Sequence, residues 1–183
     1  MSNKTLGIGA VVLVVGLLTF GRWYSGGSSA TSGSLQNIHQ QANVSGTAQN
    51  QNQAPDFSLS KLGGGSISLA EYKGKKPVIV DFWASWCPNC RRDIPHLNSF
   101  YQKYKDQVEV IGINLQEDPS AVQNFVSSQG VSYPIALDPN WQASRAYGVQ
   151  YTNYHVLIDK NGDIVRVIPG DIKESDFQSL ISS

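Results

Sequence analysis

The stretch PVIVDFW, residues 77–83, constrains the fold more than any other part of this 183-residue chain. It is a continuous apolar run interrupted only by Asp81, and such runs are typical of strands buried on both faces of a sheet. The next residues, ASWCPNC, end in a cysteine pair enclosing a proline, which is favoured at the first position of a helix. Together they predict a strand, a turn and a helix at the centre of an α/β domain.

The remainder of residues 55–183 alternates between strand-like and helix-like patterns. The predicted strands cover residues 57–60, 66–69, 108–115, 132–136, 154–158 and 163–168. The predicted helices cover the cysteine pair to Tyr104, with a kink at Pro95, and then residues 119–129, 141–147 and 173–181. This order, which ends in a hairpin and a helix, predicts a mixed central sheet flanked by helices on both faces.

Residues 1–24 are predicted to be a signal anchor or a signal peptide. An apolar run at residues 6–20 is short for a membrane-spanning helix, which needs about 20 residues. Trp23 and Tyr24 follow it and favour an uncleaved anchor, because aromatic pairs are typical of the membrane interface. Cleavage and secretion are the alternative. Both place the rest of the chain on the extracytoplasmic side, periplasmic or at the cell surface, where disulfide chemistry is permitted.

Residues 25–54 contain no charged side chain and consist largely of Ser, Gly, Gln, Asn, Thr and Ala. Such a segment cannot bury enough apolar surface to fold, so we predict a disordered polar tether that joins the anchor to a domain at residues 55–183. All 14 acidic residues and all but two of the 14 basic residues lie in that domain. Without a basic stripe, nucleic acid is not an expected partner.

The chain has two cysteines, Cys87 and Cys90. A zinc site usually takes four ligands, and His39, His96 and His155 show no ligand spacing, so we expect no metal site. A disulfide across two residues would close a very small loop and stabilise the fold little. At a helix N-terminus, by contrast, the helix dipole stabilises a thiolate. The pair therefore predicts redox chemistry without a separate cofactor: Cys87 attacks a partner disulfide, and Cys90 resolves the mixed disulfide.

The motif VDFWASWCPNC, followed by Pro95, resembles thioredoxin, and the resemblance covers residues 55–183. An additional central strand–helix segment and the tether make the chain similar to the membrane-tethered TlpA/ResA/CcmG group. The resemblance implies a thioredoxin-like fold with an N-terminal hairpin and a central strand–helix insertion. It also implies a protein disulfide reductase that takes electrons from a membrane donor. Apocytochrome c, before haem attachment, is a candidate partner.

Two carboxylates are candidate proton-handling residues. Asp81 lies in the apolar strand, where burial would raise its pKa and allow it to exchange a proton with the Cys90 thiol. The alternative is a buried polar residue with a purely structural role. Asp93 matches a position where the tethered group carries an acidic residue near the cysteines, and the alternative for it is a solvated helix carboxylate.

Four residues are predicted to contact the partner protein: Trp86, Pro88, Thr152 and Asn153. Trp86 is expected to be exposed, and Trp83 to lie in the core. Asn153, in GVQYTNYHV, stands where the family carries a cis-proline that faces the cysteines. A cis peptide before a non-proline residue costs about 3–4 kcal/mol, so a trans Thr152–Asn153 peptide is expected. We expect Asn153 to alter partner release or metal exclusion.

Other functions remain open at this point. An envelope disulfide oxidant or isomerase would use the same cysteines at a different reduction potential. A thiol peroxidase would place its cysteine in a different local motif from ASWC. A non-enzymatic module that delivers copper or haem would use the thiols as ligands. Arg91 and Arg92 are expected to be surface residues.

Overall fold

The computed structural model describes residues 52–183. The predicted anchor and nearly all of the predicted tether lie outside these residues. Among residues 52–183, no helix combines the length and the hydropathy needed to cross a membrane. The described residues form seven strands, four α-helices and one short 3₁₀ helix.

The strands are β1 (Ser58–Lys61), β2 (Ser66–Ser68), β3 (Val78–Trp83), β4 (Glu109–Leu115), β5 (Ile135–Asp138), β6 (Tyr154–Ile158) and β7 (Ile164–Pro169). The helices are the 3₁₀ turn Leu69–Glu71, α1 (Pro88–Tyr104), α2 (Pro119–Gln129), α3 (Gln142–Ala146) and α4 (Glu174–Ile181). One sheet contains all the strands in the order β2-β1-β5-β4-β3-β6-β7. Strands β3, β4 and β5 are parallel, and the other pairs are antiparallel. The predicted mixed sheet, N-terminal hairpin and inserted segment are confirmed, since α2 and β5 place an additional strand between β4 and β1.

Helices cover both faces of the sheet. Successive side chains of a strand point to opposite faces, so β3 contributes to a separate core on each face. Ile79 and Trp83 of β3 belong to a core formed with α1, α2 and α4. Val80 and Phe82 belong to a second core formed with the N-terminal hairpin and α3. Asp81 therefore points to the first face, where α1 begins.

Both predicted boundaries of one strand are wrong. The strand predicted at residues 132–136 covers Ile135–Asp138, whereas the boundaries of all the other strands and helices agree to within one residue. The backbone N–H and the hydroxyl of Ser132 both donate to Asn98 Oδ1 on α1, at 2.9 and 2.7 Å. Those bonds hold Ser132 away from the sheet. Pro95 lies inside α1, and the helix continues through it.

The cysteine motif and the first described residues lie at opposite poles of the sheet. Strand β3 ends at Trp83, just before the cysteines, and its first residue, Val78, pairs with Ile158 of antiparallel β6. The turn after Ile158 is therefore at the pole opposite Trp83. Ala54 N donates to Gly162 O in that turn at 2.9 Å, so the chain enters the domain there.

Candidate active site

Cys87 occupies the N-cap of α1, as predicted. Its Sγ accepts a hydrogen bond from Cys90 N at 3.2 Å, and Pro88 is the exposed first residue of the helix. The backbone donor and the positive end of the helix dipole both stabilise negative charge on this sulfur. Cys87 is 4% exposed, so only a small part of the residue is accessible to a partner disulfide.

The loop before Cys87 is held by a carboxylate that sequence reasoning missed. Glu117, after β4, accepts hydrogen bonds from Ser85 N at 2.6 Å and from Ser85 Oγ at 2.5 Å. Asn114 Nδ2 donates to the same carboxylate at 2.6 Å. Glu117 thus fixes the backbone two residues before the nucleophilic sulfur.

Cys90 lies one turn along α1 and is 1% exposed. Burial, with the hydrogen bond to Cys87 and the charge of Asp81, raises the pKa of the Cys90 thiol to about 12. No disulfide joins Cys87 and Cys90. A thiol with so high a pKa remains protonated at neutral pH and needs a base before it can act as a nucleophile.

Asp81, whose charge acts on the Cys90 thiol, is the candidate for that base. Asp81 is 1% exposed, and its Oδ2 has no hydrogen-bond partner. Burial raises the pKa of Asp81 from 3.8 to about 6; the charge of His155 opposes the increase, and that of Asp93 adds to it. A carboxyl group with a pKa near 6 is largely ionised at neutral pH and can accept a proton.

A glycine beside Asp81 leaves room for two aromatic side chains. Gly112 of β4 is the register partner of Asp81. A Cβ atom at Gly112 would lie 2.9 Å from Tyr133 Cε2 and 3.0 Å from Trp83 Nε1. Trp83 is 1% exposed, which confirms its prediction as a core residue.

His155, for which the sequence predicted no role, lies between the two candidate carboxylates. It is the antiparallel register partner of Asp81 and is fully buried. Its Nδ1 lies 3.4 Å from Asp81 Oδ1, and its Nε2 lies 3.0 Å from Asp93 Oδ2. Neither nitrogen has the alignment of a hydrogen bond, and the two contacts are ion pairs when the imidazole is protonated. Burial lowers the pKa of His155, but the two carboxylates outweigh it, and the net direction is upward.

Asp93 belongs to the same buried cluster and is 2% exposed, so it is not a solvated helix carboxylate. Besides the contact with His155, its two oxygens lie 3.2 and 3.4 Å from Ile172 N, which donates to them. The structure therefore brings four side chains together on one face of the sheet: Cys90, Asp81, His155 and Asp93. One sequence signal pointed to His155: two strands that read as buried, VDFW and YHVLI, each carry one polar residue.

Asn153 adopts a left-handed backbone conformation, with φ of +61°. Asn153 N donates to Phe82 O at 3.0 Å, and Gly170 N donates to Asn153 O at 2.9 Å. Its side chain donates from Nδ2 to Asp171 Oδ1 at 3.1 Å. Asp171 also pairs with exposed Arg92 of α1 at 2.7 Å, so this network links the loop before β6 to the helix that carries the cysteines.

An aromatic groove lies beside the cysteine motif. Trp86 is 66% exposed, which confirms the predicted exposure, and Tyr151 is 53% exposed. These two side chains line the groove with Trp141, Gln116 and the half-buried Thr152. The groove therefore offers apolar surface next to the reactive sulfur.

Comparisons with known proteins agree with this geometry. A family model described as Redoxin matches residues 49–181. The thiol-disulfide oxidoreductase ResA of Halalkalibacterium halodurans is 40% identical over 133 residues, which cover 70% of this chain and 75% of that protein. ResA of Bacillus subtilis is 37% identical over 132 residues, which cover 70% of this chain and 73% of that protein.

A solved structure shows the same architecture. The crystal structure of a thiol:disulfide interchange protein of the thioredoxin family, from Chlorobium tepidum, is 29% identical, with a TM-score of 0.65. The match covers 72% of this chain and 94% of that chain. The family resemblance inferred from VDFWASWCPNC is confirmed. The chain therefore belongs to the Redoxin family and is a thioredoxin-like thiol–disulfide oxidoreductase.

Proposed function

We propose that this chain reduces disulfides of partner proteins, with Cys87 as the nucleophile and Cys90 as the resolving thiol. The observation that carries the proposal is that Cys90 and Asp81 are both buried, with the Asp81 carboxylate near enough for its charge to raise the pKa of the Cys90 thiol. Burial keeps Cys90 protonated, and the charge of the neighbouring carboxylate raises the pKa of the Cys90 thiol further. The same carboxylate is the base that can remove the Cys90 proton.

The reaction has two steps. The Cys87 thiolate attacks one sulfur of the partner disulfide, forms a mixed disulfide and releases the other partner sulfur as a thiolate, which takes up a proton. Cys90 then transfers its proton to Asp81 and attacks Cys87 Sγ. The bond between Cys87 and the partner breaks, and the second partner sulfur leaves as a thiolate that is protonated in turn. The partner gains two electrons and two protons, and Cys87 and Cys90 become a disulfide.

The charges around the pair favour the reducing direction. Strong disulfide oxidants owe their high potential to stabilisation of the reduced form. Here the Asp81 carboxylate is near Cys90, where its negative charge raises the pKa of the Cys90 thiol and disfavours a second thiolate. The dithiol form is therefore less stabilised than in such oxidants, and the pair gives up its electrons more readily.

Partner docking is assigned to the aromatic groove and the exposed helix start. Trp86 and Tyr151 present apolar surface beside Cys87, and Thr152 lies at the groove edge. Pro88 is exposed at the mouth of the site. Asn153 holds the loop before β6 through its hydrogen bond to Asp171.

The cellular setting proposed here follows from the family and the predicted N-terminal segments. ResA relatives support an extracytoplasmic protein whose partners carry disulfides, and apocytochrome c is one such candidate. The pair must be reduced again after each turnover, so a dithiol donor in the membrane completes the cycle. The signal anchor at residues 1–24, the tether at 25–54 and the domain at 55–183 remain predictions that fit this arrangement.

Cysteine variants of the full-length chain test the roles. Cys87→Ser should abolish insulin reduction, whereas Cys90→Ser should retain the first step and accumulate a mixed disulfide with a partner. Because the chain has two cysteines, no other thiol can form that adduct. Activity in Cys87→Ser would contradict the assignment of the nucleophile, and an adduct on Cys90 alone would reverse the two roles.

The reduction potential tests the direction. Equilibration of full-length protein with dithiol buffers should give a potential of about −250 mV or lower, in the range of reductases. A value near about −120 mV would identify an oxidant and contradict the proposal.

A further inference from the structure

His155 is the only basic side chain among the buried residues of the described chain. It stands between two carboxylates, Asp81 on β3 and Asp93 on α1, each of which is almost completely inaccessible to solvent. Two buried carboxylates on the same side of a sheet repel each other when both are ionised, and such pairs tend to hold one proton between them. A proton held on Asp81 would prevent it from acting as a base.

We propose that His155 is a positioning residue that keeps Asp81 ionised beside Asp93, so that Asp81 can accept the proton of Cys90. The imidazolium presents one ring nitrogen to each carboxylate, at 3.4 Å to Asp81 and 3.0 Å to Asp93. It offsets the charge of one carboxylate and faces both from a single rigid strand. This inference rests on the proposed role of Asp81 as the base in the resolving step.

None of the other described groups that face the cluster supplies a buried positive charge in place of His155. Tyr133, before β5, is buried beside Asp81, Asp93 and Cys90, and burial raises the pKa of its hydroxyl well above 10, so it is neutral. Beyond Asn153, the Asp171 carboxylate adds negative charge, and Arg92 pairs with it at the surface. Gly170 contributes a backbone carbonyl near the imidazole.

A metal ion is a weaker explanation for the cluster. In the described part of the chain, no group of three or more His, Cys, Asp or Glu side chains is arranged to hold a metal ion. The two nitrogens of His155 also point to two different carboxylates, whereas a metal ligand uses one nitrogen for the ion. The arrangement matches an ion-pair bridge.

The first test compares the pH dependence of single-turnover reduction of a peptide disulfide by full-length protein, from about pH 5 to 9. In His155→Gln, the rise in rate that reflects Asp81 ionisation should move to higher pH by about one to three units, because the cation is lost. His96→Gln, which changes an exposed histidine on α1, is the matched control and should leave the profile unchanged. An unshifted profile in His155→Gln would overturn the proposal.

A double variant separates charge from structure. In His155→Gln/Asp93→Asn the competing carboxylate is also removed, so the profile should return towards that of the unmodified protein. If both variants show the same displaced profile, repulsion from Asp93 is not the cause and the proposal fails. Asp81→Asn reports on the proposed base itself. If it keeps the unmodified profile, the base role of Asp81 is wrong, whatever His155 does.

A measurement without any substitution covers the case in which His155→Gln does not fold. Nitrogen-15 NMR of the full-length protein reports the protonation of each imidazole. His155 should remain doubly protonated above pH 6.5, the ordinary imidazole value, and its signal should move when Asp81 is replaced by Asn. A neutral His155 ring at or below that pH would overturn the proposal.

Discussion

Asn153 donates from Nδ2 to Asp171 Oδ1 at 3.1 Å while its backbone holds a φ of +61°. Asparagine tolerates this left-handed conformation better than most residues, because its short polar side chain forms local hydrogen bonds. Proline cannot adopt it, since its ring fixes φ near −65°. Asn153 therefore suits the left-handed backbone found at this position, which a proline could not adopt.

Asn153→Pro should destabilise the protein by about 2–4 kcal/mol, because it forces the backbone out of the left-handed region and removes the N–H that donates to Phe82 O. Asn153→Gly permits the same φ and keeps that N–H, so it should cost no more than about 1 kcal/mol, mainly through the lost contact with Asp171. Urea denaturation of the reduced protein measures both. Equal stability of Asn153→Pro and the unmodified protein would contradict the backbone geometry described here.

Asp81 should make the protein less stable as the pH rises. The folded pKa of about 6 lies above the unfolded value of 3.8, so its contribution is fully present below about pH 4 and is lost as the pH rises through 6. His155, whose pKa is also raised, loses its contribution above 6.5, in the same direction. The free energy of unfolding of Asp81→Asn, taken relative to that of the unmodified protein, should therefore be about 2–3 kcal/mol higher at alkaline pH than at acidic pH. The free energy of unfolding, measured at acidic and at alkaline pH, tests this difference. Asp106→Asn, which removes an exposed carboxylate, is the control.

Gly112→Ala should destabilise the core beside Asp81 by about 1–3 kcal/mol, which is typical of overpacking. The added methyl group would lie within 3.0 Å of atoms of Ile135, Tyr133 and Trp83. The free energy of unfolding measures the loss, and near-ultraviolet circular dichroism reports the displaced aromatic rings. A fully stable variant with an unchanged spectrum would show that this region is packed more loosely than described.

Trp86→Ala should weaken the binding of protein substrates without affecting small disulfide substrates. The loss of an exposed aromatic anchor should raise the KM for insulin about tenfold, while kcat/KM for a small disulfide such as oxidised glutathione stays the same. Val165→Ala is the matched control, because Val165 is also an exposed apolar residue but lies on β7, near the pole opposite the cysteines. Equal effects on both substrates would assign Trp86 to the chemistry instead of docking.

Local patterns predicted the elements whose signals lie in consecutive residues. The run PVIVDFW and the helix opened by the cysteines agree with the structure, and the burial of Asp81 followed from its place in that run. Asp93 was found through the resemblance alone, because its position on α1 does not distinguish a buried from a solvated carboxylate. The structure decides that question through Ile172 N and His155.

The remainder depends on contacts between distant segments. The pairing of His155 with Asp81 is set by the register between β3 and β6, which a single sequence does not specify. The φ of Asn153 depends on hydrogen bonds to Phe82 and Gly170. The late start of β5 depends on the side chain of Asn98, on a different element.

The entry of the chain at the pole opposite the cysteines has a practical consequence for handling the protein. A support, fusion partner or bead joined directly at Asn52 attaches near Gly162, at the pole opposite Trp86 and Cys87. A large partner then approaches the sulfur from the free end of the domain, without steric conflict with the attachment. Immobilisation through the N-terminal side should accordingly preserve turnover on bulky disulfide substrates, which makes this end the natural choice for affinity capture of trapped partners.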